Sequence, residues 1–143
     1  MYKSILQLAL WTAVATGPCW ADADTGSQER PNSRSQPQYV VKDGNKVDSR
    51  TLEGWKTWRA LACERCHGAA GEGMVGPSLL ISLKSLSKED FHTVMMKGRV
   101  AKGMPNYDGS AMMQKNWEGL YAYLKGLSDG QIKPGHLSPL DAR

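Results

Sequence analysis

The feature that most constrains this chain is a pair of cysteines, separated by two residues and followed directly by a histidine, in Cys63-Glu64-Arg65-Cys66-His67. Two thiols about one helical turn apart can reach the two vinyl groups of one porphyrin, and the adjacent imidazole then lies below the iron. The pattern therefore predicts one covalently attached haem c. We expect Cys63 and Cys66 to attach it and His67 to be an axial ligand of the iron.

A redox-active dithiol and a structural zinc site are the alternative interpretations of the cysteine pair. A thioredoxin-like pair needs its nucleophile at a helix N-terminus after a strand. Here apolar residues recur at helical spacing from Leu52 to Ala62, which predicts that the pair closes a helix instead. A zinc site needs further ligands, and the candidates are His92 and His136, which we expect to lie on the surface.

Residues 1–23 have the composition of a secretory signal peptide, with Lys3, an apolar run from Ile5 to Val14 and then small or turn-forming residues. The run is shorter than the roughly 20 apolar residues that span a bilayer, so we expect no stable membrane insertion. A membrane-anchoring amphipathic helix and lipid attachment at Cys19 are the alternatives. Export predicts a periplasmic protein, in a compartment where free thiols must be bridged, metal-bound or covalently capped.

Composition places one small globular domain after this segment. Residues 24–38 are rich in Ser, Gln, Pro and Arg and lack apolar periodicity, which predicts a flexible leader and leaves residues 39–143 as the folded domain. The 18 Lys and Arg against 14 Asp and Glu give a net charge of +4, too little for a dedicated nucleic-acid-binding protein. We expect no nucleic-acid partner and a monomer.

The periodicity of the domain predicts an all-α fold with a small N-terminal appendage. Asp43-Gly44 suits a tight turn, so residues 39–47 form either a hairpin or an extended arm. Three helices are predicted, from Leu52 to Cys63, from Ser87 to Gly98 and from Trp117 to Leu127. Helices this short bury little surface by themselves, so a large apolar cofactor would complete the core.

The sixth ligand of the iron must be chosen among six methionines after the signal peptide: Met74, Met95, Met96, Met104, Met112 and Met113. Met104 stands in Lys102-Gly103-Met104-Pro105, where glycine permits a close backbone approach and proline stiffens the loop, so it is the predicted ligand. Met95 lies on the apolar stripe of the second helix, and Met96, Met112 and Met113 are interpreted as fillers of the core or of a cavity wall. The turn residues Asn106 and Tyr107, which follow Met104, are left out of the predicted site.

The carbonyl of Pro77 is predicted to accept a hydrogen bond from Nδ1 of His67. The segment Gly76-Pro77-Ser78-Leu79 follows the histidine at a distance that allows this contact, which would fix the tautomer of a metal-ligating ring. A simple turn at Pro77 is the alternative. We include Pro77 among the cofactor-binding residues.

Together, these motifs resemble the class I cytochromes c. Cys63 to Gly68, Gly76 to Leu79, Gly103 to Pro105 and an aromatic C-terminal helix follow one another in the order and spacing of that class. Within it, the chain is similar to the cytochrome c-550 type that accepts electrons from pyrroloquinoline-quinone alcohol dehydrogenases. The residues that carry this similarity are Val47-Asp48, Thr51, Gly54-Trp55, the segment Gly119 to Lys125, and Ser128-Asp129-Gly130.

The resemblance spans about residues 39–140 and implies the class I cytochrome c fold and an electron carrier rather than an enzyme. It implies a quinoprotein alcohol dehydrogenase as donor and a terminal oxidase or another cytochrome as acceptor. The alternatives are a haem sensor or enzyme subunit with an open iron site, a carrier for a different dehydrogenase, and a module without haem. Five cations before Met104 predict a basic rim for an acidic partner: Lys84, Lys88, Lys97, Arg99 and Lys102.

Overall fold

A computed structural model describes residues 38–141 of the 143-residue chain. The predicted signal peptide at residues 1–23 and nearly all of the predicted leader at residues 24–38 lie outside the described residues. Within residues 38–141, every helix is too short or too polar to cross a membrane.

The described residues are mostly helical, which confirms the predicted fold class. Their helices are α1 (Ser49–Ala60), α2 (Glu64–His67), α3 (Leu79–Ser82), α4 (Lys88–Lys97) and α5 (Ala111–Ser128). A turn of 3-10 helix covers Val100–Lys102. Three short strands, β1 (Val41–Lys42), β2 (Lys46–Val47) and β3 (Ser138–Pro139), form one sheet in the order β1-β2-β3.

The N-terminal hairpin forms as the Asp-Gly pair predicts. Strands β1 and β2 pair antiparallel, and Asp43 (φ 57°) and Gly44 (φ 80°) supply the two positive φ angles of a tight turn. Strand β3 runs parallel to β2 and was not predicted, because two residues in a polar tail carry no periodic signal. The tail thereby fastens the hairpin onto the domain.

Helix α1 begins where its cap predicts but ends before the cysteines. The Asp48 carboxylate accepts hydrogen bonds from the amides of Thr51 (3.0 Å) and Val40 (2.8 Å), so it caps the helix and ties it to the hairpin. The helix stops at Ala60, and Ala62 has a φ of 54°. The prediction that the helix continues to Cys63 is therefore wrong. The helical spacing of apolar residues extends past Ala60, and an alanine gives no sequence signal for the positive φ that ends the helix.

The other helix boundaries follow from side-chain caps. The Ser87 hydroxyl accepts from the Asp90 amide at the start of α4, and Gly98, with a φ of 67°, ends this helix as predicted. Helix α5 starts six residues earlier than Trp117, because the Ser110 hydroxyl accepts from the Met113 amide at 3.2 Å. The first turns of α5 lack the helical spacing of apolar residues that its later turns have, so the periodicity did not predict them.

Helices α1 and α5 cross with their backbones in contact at two glycines. A Cβ atom at Gly54 would overlap the Gly119 carbonyl group, and a Cβ at Gly119 would overlap the Arg50 carbonyl oxygen. Around this crossing lie fully buried side chains from both helices, including Trp58, Leu120 and Tyr123. The Trp58 and Tyr123 rings meet at 6.2 Å between centroids with an interplanar angle of 60°.

We predict that Gly119→Ala destabilises the haem-loaded protein by about 1–3 kcal/mol, because the added methyl group forces the two helices apart. The sign is diagnostic, since alanine in a helix is otherwise better than glycine by about 1 kcal/mol. Denaturant unfolding followed by circular dichroism measures the change. Gly109→Ala is the control, because a Cβ there meets no atom within 4 Å. Equal stability of the Gly119 variant and the wild type would contradict the close crossing.

Candidate functional site

The cysteine and histidine side chains of the motif are placed by the single turn of α2. Cys63 caps this turn, and its carbonyl oxygen accepts hydrogen bonds from the amides of Cys66 (3.2 Å) and His67 (3.0 Å). Gly68, with a φ of 82°, then ends the turn. Both cysteines are free thiols, Cys63 half-buried and Cys66 exposed. The pair therefore lies on its own helical turn and does not close α1 as predicted.

The acidity of the Cys63 thiol does not suit a redox dithiol. Burial, followed by the nearby negative charge of Glu64, raises the pKa of Cys63 to about 11. A thioredoxin-like nucleophile needs the opposite shift, toward a stable thiolate at neutral pH. The buried surroundings of Cys63 thus disfavour a redox dithiol, although the cysteine pair does not close α1 as predicted.

The His67 ring is held in one orientation by the segment that follows it. Its Nδ1 lies 2.9 Å from the Pro77 carbonyl oxygen, which can only accept, so Nδ1 carries the proton of this bond. The Gly76 amide donates to the Cys66 carbonyl at 2.8 Å, and a Cβ at Gly76 would come within 2.9 Å of the imidazole Cε1. The Nδ1 bond leaves Nε2 with a free lone pair in the neutral ring, as a metal ligand requires.

The two remaining histidines lie apart from the cysteines. His92 packs on the Trp117 ring with centroids 4.4 Å apart, and His136 is exposed and meets the Trp55 ring edge to face at 5.1 Å. Among residues 38–141, no group of three or more His, Cys, Asp and Glu side chains is arranged to hold a metal ion. Neither histidine is thus brought to the cysteines as a zinc site would need.

Met104 is presented by a short loop that closes on the end of α4. Arg99 and Met104 exchange two backbone hydrogen bonds, Arg99 N to Met104 O at 2.9 Å and Met104 N to Arg99 O at 3.2 Å. Gly103, with a φ of 82°, allows the turn between them. A Cβ at Gly98 would lie 2.6 Å from the Asn106 amide nitrogen, so this glycine lets the segment after Met104 pack closely against α4.

The methionines differ in how far their side chains are buried, which distinguishes those that fill the core from those at the surface. Met95 and Met113 are buried in the core, as predicted, whereas Met112 is 44% exposed and Met74 is 69% exposed. Met104 is half-buried and packs with one side against the core. The backbone of Met104 is thus held by hydrogen bonds, while its half-buried side chain lies at the edge of the core.

Tyr107, which sequence reasoning left out of the site, lies between the methionine segment and the motif. Its side chain is near those of Cys63 and Cys66, and its amide donates to the Met95 carbonyl at 3.0 Å. Burial, followed by the neighbouring Cys63 and Cys66, raises the pKa of the Tyr107 hydroxyl, so it is protonated and able to donate at neutral pH. The only available signal was an aromatic residue three positions after Met104 in a turn.

The donor set fits a covalently attached haem. Two free sulfurs lie on one helical turn, an imidazole has its Nδ1 engaged and its Nε2 available, and a thioether lies on a loop with a fixed backbone. Partly buried apolar side chains from several segments pack on the core with one side and retain an open side, namely Leu61, Leu79, Leu80, Met96 and Tyr107. Such side chains can form the walls for a large apolar ring.

Comparison with known proteins points the same way. The family model described as "Cytochrome C oxidase, cbb3-type, subunit III" matches residues 49–124. Cytochrome c-555 of Methylococcus capsulatus is 45% identical over 92 residues, which are 64% of this chain and 73% of that protein.

A solved structure shares the fold. The crystal structure of the c-type cytochrome XoxG from Methylobacterium extorquens AM1 matches with a TM-score of 0.64 at 29% sequence identity. The match covers 71% of this chain and 65% of the XoxG chain, so the present chain corresponds to somewhat less than two thirds of that structure.

Proposed function

Given that the chain belongs to the c-type cytochromes, we propose that it is a periplasmic carrier that takes electrons from a pyrroloquinoline-quinone alcohol dehydrogenase and passes them to a terminal oxidase or another cytochrome. The family membership confirms the predicted class I fold and the covalent haem c. The observation that carries the proposal is the His67 ring, oriented by the Pro77 carbonyl within a C-x-x-C-H motif, and the loop that carries Met104 is closed by backbone hydrogen bonds.

Each residue of the site has a separate task in this proposal. The Cys63 and Cys66 sulfurs would hold the porphyrin through thioether bonds, and His67 Nε2 and Met104 Sδ would ligate the iron. The Pro77 carbonyl keeps the proton on Nδ1 and thereby orients the ring. When bound, the haem supplies a one-electron couple. An iron held by both His67 and Met104 would have no position left for a substrate, which favours electron transfer over catalysis at the metal.

The surface beside Met104 suits an acidic partner, but with fewer cations than the sequence predicted. Lys84 donates to the Ser128 carbonyl, and Lys88 pairs with Glu118 at 2.9 Å. Lys97, Arg99 and Lys102 are exposed and have no ion pair within the described residues. The basic rim is therefore these three residues, all within seven positions of Met104.

Apolar side chains accompany the basic rim. Val100 lies between two of its cations and is 69% exposed, while Met74 and Val75, in the loop after the motif, are 69% and 89% exposed. Large apolar side chains that are exposed to this degree support a role in contact with another molecule. Electron-transfer complexes are small and short-lived, so a few apolar contacts guided by charge suffice.

The attachment is tested by Cys63→Ser combined with Cys66→Ser. Haem in the wild type is expected to remain with the protein in acidified acetone, because both vinyl groups are bonded to sulfur. The double variant is expected to hold no acetone-resistant haem. Complete recovery of haem in the acetone layer from the wild type would contradict covalent attachment.

The sixth ligand is tested by Met104→Ala, with Met74→Ala as the control from the exposed loop. Loss of the thioether is expected to remove the sulfur-to-iron charge-transfer band of the ferric protein and to lower the reduction potential, because a soft ligand favours ferrous iron. Each 59 mV is about a tenfold change in a one-electron equilibrium, so a small fall is measurable. Persistence of the band in the Met104 variant would reject this ligand.

Carbon monoxide tests whether the iron has an open site. The gas is expected to leave the spectrum of the ferrous wild type unchanged, whereas it would shift the spectrum of a protein with an open iron site.

The partner is tested by stopped-flow reduction with a reduced pyrroloquinoline-quinone alcohol dehydrogenase. Uptake of electrons is expected to slow as the salt concentration rises, because the screening length falls from about 30 Å at 0.01 M to about 8 Å at 0.15 M. Lys97→Glu with Lys102→Glu is expected to slow it about tenfold at low salt, since steering raises association rates by tenfold or more. Lys42→Glu on the N-terminal hairpin is the control. Rates indifferent to salt and to charge reversal would reject electrostatic docking, and failure to reduce the wild type at all would reject this class of donor.

A further inference from the structure

We propose that the carboxylate of Glu64, one oxygen of which is buried inside the attachment motif, lowers the reduction potential of the haem, and that Arg59 balances its charge only in part. The inference goes beyond the proposed function, because it concerns the potential of the carrier and not its partners. It rests on the proposed attachment of the porphyrin at Cys63, the residue that directly precedes Glu64.

One oxygen of the Glu64 carboxylate is buried without a partner. Among residues 38–141, Oε2 of Glu64 is the one buried side-chain oxygen or nitrogen atom that lacks a hydrogen-bond partner, although the side chain as a whole is 28% exposed. Removing part of a charged group from water in this way costs free energy. A charge without full compensation also acts more strongly on its surroundings than a solvated one.

The counter-charge of Glu64 is loosely held. Arg59 Nε lies 3.7 Å from Glu64 Oε1, too far for a direct hydrogen bond, and the Arg59 side chain is 61% exposed. Water and salt therefore screen the charge of the guanidinium group more than that of the buried carboxylate oxygen. The pair thus leaves a net negative charge on the buried side of the motif.

The charge of Glu64 acts on the groups around the motif. Glu64 begins α2, the turn that carries His67, and burial followed by this charge raises the pKa of the Cys63 thiol. Burial raises the pKa of the Tyr123 hydroxyl to about 12, and the charges of Arg59 and Glu64 act on that pKa in opposite directions. Ferric haem carries one more positive charge than ferrous haem, so a negative charge beside the porphyrin favours the ferric form.

The experiment measures the reduction potential of the haem-loaded protein by spectroelectrochemical titration. Glu64→Gln keeps the shape of the side chain and removes its charge. It is expected to raise the equilibrium constant for reduction about three- to tenfold, which is roughly 30–60 mV at about 59 mV for each tenfold change. Glu64→Asp keeps the charge and is expected to stay closer to the wild type. The absorption spectra of both variants are expected to match that of the wild type, because the charge acts without changing the iron ligands.

Glu53→Gln is the matched control. Glu53 is 51% exposed and pairs with Lys56 at 2.7 Å, so solvent screens its charge and its loss is expected to change the equilibrium constant by less than about twofold. Arg59→Gln is the opposite arm and is expected to lower the potential, because it removes the partial counter-charge. This variant leaves the motif unchanged, so it decides the matter if Glu64→Gln retains no haem.

The outcomes separate this inference from the proposed attachment. An unchanged potential or an altered spectrum in Glu64→Gln would overturn the inference, and so would an equal rise in Glu53→Gln. A rise, or no change, in Arg59→Gln would do the same. Release of the wild-type haem into acidified acetone would instead contradict the attachment at Cys63, and this inference with it.

Discussion

The contact of α1 and α5 at Gly54 and Gly119 is the constraint on which the rest of the site depends. Because neither position has a side chain, the two backbones touch, and the larger side chains around them, such as Trp58 and Tyr123, fill the space on either side. The crossing fixes the direction in which α1 ends. Two residues later the chain turns at Ala62 and enters the turn that carries the cysteines and His67. The Trp58 ring, 6.3 Å from the His67 ring between centroids, connects the crossing to the site.

The two segments proposed to ligate the iron are held mainly by backbone contacts. Gly76 and Pro77 hold the His67 ring, while Arg99 and Gly98 hold the segment of Met104. Backbone hydrogen bonds of this kind do not change with pH or salt in the neutral range, unlike surface ion pairs. A carrier that shuttles one electron benefits from ligands that stay in place in both oxidation states. The cations near Met104 are therefore not needed to hold these segments, and their charge remains at the surface.

Which of those cations are free is a consequence of the packing of α5. Ser128 lies at the end of α5 and Glu118 in its middle, and they engage Lys84 and Lys88, respectively. Lys97, Arg99 and Lys102 lie at the end of α4 and on the Met104 loop, and they form no ion pair within residues 38–141. The net charge of +4 therefore understates how basic the surface beside Met104 is.

The sequence by itself determined the cofactor, the family and the order of the three longer helices, α1, α4 and α5. It did so because covalent attachment of haem needs two cysteines and a histidine at fixed spacing, and because side-chain caps such as Asp48 and Ser87 are local signals. The contact between Pro77 and His67 could also be anticipated, since ten residues and a Gly-Pro turn bring them together. The roles of Cys63, Cys66, His67, Met104 and Pro77 toward the haem remain predictions.

Only the tertiary structure decided where α1 stops, that the C-terminal tail adds a strand, and that Tyr107 lies near the cysteines. Each of these depends on groups far apart in the chain. Ala62 takes a positive φ that alanine does not signal, Ser138 pairs with a strand some 90 residues earlier, and Tyr107 lies near Cys63, which is 44 positions away. Local periodicity carries no information about such encounters, because their free energy comes from contacts that exist only after the chain has folded.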